Sequence, residues 1–137
     1  MRTGAYTVWG MNAVAQVLAV LVGLTIIGVG TLEAFFFRNQ RFHSIFLIKP
    51  EDAEAVRLWV VNQGFYNIVW GLGALVGVLL LNVGDPVAGA TLVFFVSGAH
   101  VIFGIVLGVT EPRLWMSMIA QSLLPLVVIL TAVLLPA

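Results

Sequence analysis

The chain has 137 residues and no cysteine. Disulfides, thiolate catalysis and cysteine-based metal sites are therefore excluded. Charge is also scarce. Six basic and six acidic side chains make up 9% of the residues, where a soluble domain carries about a quarter. The net charge is zero, so no electrostatic case exists for nucleic acid as a partner. What fills the chain instead is apolar: 61% of the residues. A soluble domain this short could not hide that much apolar surface. The bilayer is the solvent and first partner this composition requires. The opening apolar run is far longer than the roughly 7–15 residues of a signal-peptide core. It ends in Phe35, Phe36 and Phe37 rather than in small residues, which predicts a retained helix.

A spanning helix needs about 20 apolar residues. Four segments qualify: about 13–37, with Trp9 as a further extension, then 58–83, 87–109 and 114–135. Their limits are Arg38, Arg57, Gly84-Asp85-Pro86 and Glu111-Pro112-Arg113. Pro86 and Pro112 suit the first turn of the helices they open. The apolar runs are continuous, unlike the alternating strands of about 10 residues in a membrane barrel. The expected fold is all-α, a single transmembrane four-helix bundle with a long first connection.

Lys and Arg set its expected direction. Arg38, Arg41, Lys49, Arg57 and Arg113 fall on the first and third connections, and Arg2 alone falls on the other side. The positive-inside rule places those connections in the cytoplasm and both termini outside a multi-pass cell-membrane protein. The first connection holds Phe42, Ile45, Phe46, Leu47 and Ile48, then Lys49-Pro50-Glu51-Asp52. The latter reads as a helix start, with Pro and acids at the positive dipole end. The segment before it is expected to lie on the leaflet or to cap the bundle.

Polar groups inside hydrocarbon are costly and mark candidate sites. Glu33 is the only acidic residue within a span, roughly 7 Å from Arg38 at 1.5 Å per residue. Asn62, Gln63, Asn67, Gln121 and Thr110 fall in the same half of the membrane, and His100 falls near its middle. Gln63 and Asn67 share a face one turn apart, and Asn62 and Tyr66 share the next. Gly104 with Gly108, and Gly73 with Gly77, are spaced to let helices approach closely. The Gly104–Gly108 stripe also carries Ser97 and His100 toward a neighbouring helix. A carboxyl at low dielectric either finds donors or becomes neutral. The Asn and Gln amides supply donors without charge. The ligand- or proton-binding candidates are thus Glu33, Asn62, Gln63, Tyr66, Asn67, His100 and Gln121. Structural roles compete with this reading. Glu33 can snorkel or pair with Arg38 or Arg41, and the amides and His100 can simply join helices. One Glu and one His do not make a zinc site, and no metal or other cofactor is expected. Pro125 should disturb the fourth helix and free a carbonyl near Gln121.

Asn62-Gln63-Gly64-Phe65-Tyr66-Asn67 resembles the Asn-Gln-Gly-x-Tyr-Asn signature of the small bacterial and fungal membrane proteins grouped as domain of unknown function 1304. Glu33 with its following aromatics, Phe46, the Gly104/Gly108/Thr110 ending and the Gln121–Pro125 pair are similar to the rest of that family's pattern. Ile26 stands where the family tends to have His, and Phe103 where it tends to have Ala. The resemblance implies four spans and a shared polar site, and it supplies no activity.

Three functions stay open on the sequence. One is binding or transport of a proton, ion or small amphipathic molecule at Glu33. Another is a membrane enzyme in which Glu33 is general acid or base and the amides orient a lipophilic substrate. The last is an accessory or structural subunit. The glycine stripes also offer surfaces for a homodimer or higher oligomer.

Overall fold

The computed structural model describes residues 10–135; Arg2 and Trp9 lie outside them. The chain is all-α: α1 (Ala13–Phe35), α2 (Ala53–Val83), α3 (Pro86–Thr110) and α4 (Trp115–Leu134). All four are long and apolar enough to cross a membrane, so this is a multi-pass membrane protein. Each helix packs on the next, and α4 closes against α1.

Local chemistry sets the helix ends. Asn12 caps α1, its Oδ1 accepting from the Ala15 N–H at 2.9 Å. Asp85 caps α3, accepting from Val87 and Ala88 at 2.8 and 3.2 Å, with Pro86 in the first turn. The α1 helix stops at Phe35, short of the expected Phe37. Phe36 is its C-cap, and Phe37 turns inward and is buried. The α2 helix starts at Ala53, ahead of the expected Leu58, because the Pro50–Asp52 turn feeds straight into it. The rest of the first connection is a 3₁₀ helix, Gln40–Phe46. It ends at Leu47, which adopts the left-handed conformation at φ 55°. Between α3 and α4, Glu111 accepts from Arg113 Nε and Nη2 at 2.7 and 2.6 Å. Those hydrogen bonds draw its carboxyl down to about 2. A lowered pKa means the clamp acts above the ordinary carboxylate range and is lost as pH falls through about 2.

The tightest seam joins α1 and α2. Gly23 lies against Gly71 and Gly30 against Gly64, an antiparallel pairing of glycines seven residues apart on each helix. A Cβ on Gly64 would sit 2.5 Å from the Ala34 nitrogen and 2.6 Å from the Gly30 oxygen. Backbone meets backbone here, so no side chain can yield. Gly77 packs similarly on the Gly89 oxygen of α3, and Gly104 on Ser122 and Met118 of α4. Gly108 meets the Met118 side chain, whereas Gly73 makes only an ordinary contact with Val96 at 3.4 Å.

The buried core occupies one half of the bundle. Ala15, Ala19, Val22, Ala74, Val93 and Val128 fill the end nearer the termini. Two polar ties close that end. Asn12 Nδ2 donates to the Thr131 oxygen at 2.8 Å, and Asn82 Nδ2 donates to Gln16 Oε1 at 2.7 Å. Asn12 is thus both cap and cross-link between the start of α1 and the end of α4. Asn12→Ala is expected to cost about 1–2 kcal/mol, the loss of a cap with a neutral hydrogen bond. Unfolding in mixed micelles would measure it.

Candidate functional site

The half of the bundle nearer the first connection is hollow. A cavity of about 730 Å³ lies there, walled by all four helices. The first connection also takes part, because its 3₁₀ helix turns Ile45 and Phe46 into the wall. The volume lies within the roughly 300–1,000 Å³ of ordinary small-molecule sites.

Glu33 is buried in this wall although its neighbours Phe35 and Phe36 are exposed. Asn67 Nδ2 donates to Glu33 Oε2 at 2.7 Å. Gln63 Nε2 reaches Asn67 Oδ1 at 3.4 Å, which makes a short relay from Gln63 through Asn67 to the carboxyl. The glycine seam sets this geometry. A Cβ on Gly30 would come within 2.9 Å of Asn67 Cβ, so Asn67 occupies space that Gly30 leaves empty one turn from Glu33. Glu33 has no ion pair with Arg38 or Arg41. Among the described residues the ion pairs are Arg57–Glu54 and Arg113–Glu111.

The remaining candidates divide. Tyr66, His100 and Gln121 line the same cavity as Glu33, Gln63 and Asn67. His100 is buried, its Nδ1 lies 2.9 Å from the Val96 oxygen, and its ring stands edge-on to Trp70 and Phe103. A carbonyl only accepts, so Nδ1 carries the proton of that bond. Gln121 enters from α4 with Pro125 one turn on. Proline has no N–H to return to the carbonyl four residues earlier, which is that of Gln121. Asn62 does not join them; it is exposed and its Nδ2 bonds the Leu58 oxygen of its own helix. Thr110 borders the cavity but gives its hydroxyl to the Val106 oxygen, an ordinary way to satisfy a hydroxyl in lipid.

The cavity is open toward the outside of the bundle. Tyr66, Phe103 and Val106 line it, yet they are 62%, 40% and 53% exposed. Trp70 packs edge-on to Phe103 at 5.8 Å in the wall of this cavity.

The family described as "Protein of unknown function (DUF1304)" matches residues 20–133. The chain belongs to this family. No curated protein and no solved structure matches it. The stretch 62–67 of this DUF1304 protein can now be read physically. Gly64 brings α2 onto α1, Asn67 holds Glu33, Gln63 and Tyr66 line the cavity, Phe65 meets Phe35 edge-on at 5.6 Å, and Asn62 serves its own backbone.

Sequence reasoning missed three features. The seven-residue spacing of Gly23/Gly30 and Gly64/Gly71 was legible, but attention to four-residue pairs passes over it. Trp70 borders the cavity from the middle of α2, with no polar neighbour in sequence to flag it. His43 is buried in the first connection, where a lone His in a polar stretch gives no signal.

Proposed function

We propose that this DUF1304 protein binds a small amphipathic molecule whose head donates a hydrogen bond to Glu33. One observation carries the reading: a buried carboxyl with a single hydrogen-bond partner stands in the wall of a large, mostly apolar cavity. Asn67 engages one carboxyl oxygen and leaves the other to accept. A hydroxyl or amine supplies the donor that oxygen lacks, and an amine adds charge assistance. A fatty acid brings a second carboxylate and is disfavoured. The tail would run past Tyr66 and Val106 into the bilayer. The Lys and Arg distribution supports a cytoplasmic position for the Glu33 end and extracytoplasmic termini.

A second reading, acid–base chemistry on such a molecule, is favoured by His100 sharing the cavity with Glu33. Its Nε2, opposite the nitrogen bound to Val96, is the group that would act. Turnover of a bound molecule, lost in both Glu33→Gln and His100→Gln, would distinguish it from binding alone.

Trp70 provides the test. With Trp9, Trp59 and Trp115 replaced by Phe, it is the sole indole. A brominated long-chain amine or alcohol should quench it saturably, and the matching brominated fatty acid should not. Quenching no stronger than by brominated phosphatidylcholine would refute the binding site.

A further inference from the structure

The Glu33 cavity has a second polar point, at His100. The His100 ring is 2% exposed and stands in the cavity wall. Its Nδ1 lies 2.9 Å from the Val96 oxygen of its own helix and carries the hydrogen of that bond. In the neutral ring Nε2 is then an acceptor. It has no hydrogen-bond partner among the described residues. The one buried side-chain polar atom there with neither a partner nor surface of its own is His43 Nδ1. His100 Nε2 therefore keeps surface, and a residue this buried in the wall has that surface inside the cavity.

This acceptor lies deeper than Glu33. Helices α1 and α3 run the same way; Glu33 is close to the end of α1, whereas His100 is almost three turns before the end of α3. At 1.5 Å per residue the two are separated by about 8–12 Å along the bundle. Trp70 stands between them. It follows Asn67, which holds Glu33, by one turn of α2, and its ring meets His100 edge-on with centroids 5.7 Å apart. One polar group cannot reach both acceptors, but two groups on one molecule can. Glu33 is the one acid in the cavity wall, so a second ammonium at His100 would be buried without a counter-charge. A hydroxyl donates without charge, and an ether or ketone oxygen has nothing to donate.

We propose that the amphiphile held at Glu33 carries a second donor, a hydroxyl set in its apolar body, which His100 Nε2 accepts. The inference rests on the reading of the cavity as a binding site and narrows its ligand class. The ligand is an amino alcohol or diol whose polar groups are about 8–12 Å apart, the axial distance between the two acceptors. His100 is then a specificity-determining residue. An analogue without the hydroxyl is discriminated against because it leaves a buried acceptor unpaired.

The test uses the full chain in a maltoside detergent with Trp70 as its sole indole, and follows displacement of the brominated long-chain amine. The competitors are octylamine, decylamine and dodecylamine, each also as its ω-hydroxy and ω-methoxy derivative. At the best-fitting length the hydroxy compound should displace the quencher about tenfold better than its methoxy counterpart, the worth of one buried hydrogen bond. Partition into detergent favours the methoxy compound, so it cannot produce that order. His100→Phe should erase the ratio. If that variant does not fold, ¹⁵N NMR of the histidine rings in the parent chain decides. The hydroxy compound should move the unprotonated nitrogen of His100 upfield, and the methoxy compound should not. His43 is bonded through Nε2 rather than Nδ1, so the two rings differ in tautomer and their signals can be told apart. Equal potency of hydroxy and methoxy compounds at every length, with the plain amines still displacing the quencher, overturns this inference and leaves the Glu33 reading standing. A ratio that survives in His100→Phe also overturns it, because the hydroxyl then meets another group. No saturable quenching by the brominated amine removes both readings.

Discussion

Gly64→Val and Gly30→Val should each destabilise the bundle by about 3 kcal/mol, the upper end of overpacking costs. At Gly64 the added Cβ meets the Ala34 nitrogen at 2.5 Å and the Gly30 oxygen at 2.6 Å, and both belong to the backbone of the facing helix. The only relief is for α1 and α2 to part. The seam also aims Asn67, so separation would break the Asn67–Glu33 hydrogen bond and open the cavity wall. Gly28 is the control. A Cβ there meets nothing within 4 Å, so Gly28→Ala should be neutral or gain up to about 1 kcal/mol of helix propensity. Unfolding midpoints in mixed micelles for the three variants would check this. Equal effects at Gly28 and Gly64 would show that intrinsic helix propensity, not close packing, governs these positions.

Glu33→Gln should separate folding from binding. Glutamine keeps the size and an oxygen that can accept from Asn67, so stability should change by no more than about 1 kcal/mol. Affinity for a long-chain amine should fall at least about tenfold, because the charge-assisted bond is gone. Affinity for the matching alcohol should fall less. Asn67→Leu removes the donor and leaves a buried carboxyl unpartnered, which should cost about 1–3 kcal/mol. That cost should shrink when Glu33→Gln is already present, since a neutral amide tolerates the loss better than a carboxylate. A double-mutant cycle measures the coupling directly. Additive effects would mean that the two side chains do not share a hydrogen bond in the membrane.

The fold was readable because hydrocarbon imposes a simple rule. Backbone groups must be satisfied within the segment, so four long apolar runs mean four helices. Their ends were off by a few residues where capping decided them: Phe37 turned inward, and Pro50 started α2 early. The site was partly legible. Depth alone grouped Glu33, Gln63, Asn67 and Gln121, and all four border one cavity. Depth could not tell Asn62 from Asn67, because the difference lies in rotation about the helix axis. Asn67 faces α1 and Glu33; Asn62 faces outward and bonds Leu58. The hollow itself was beyond reach of the sequence. Gly77 packs on the Gly89 oxygen nearer the termini, and Trp70 and Phe103 meet further along, in the wall of the cavity. Composition does not reveal where two helices stop touching.

Solid-state NMR on chain reconstituted in lipid tests the central claim most directly, with ¹³C at the Glu33 carboxyl and ¹⁵N on the side-chain nitrogens of Asn and Arg. The inward-turned carboxyl predicts a strong dipolar correlation to the Asn67 amide that disappears in Asn67→Leu. A correlation to an arginine guanidinium in its place, or none to any amide, would mean that the carboxyl faces the headgroups and that the cavity has no polar anchor.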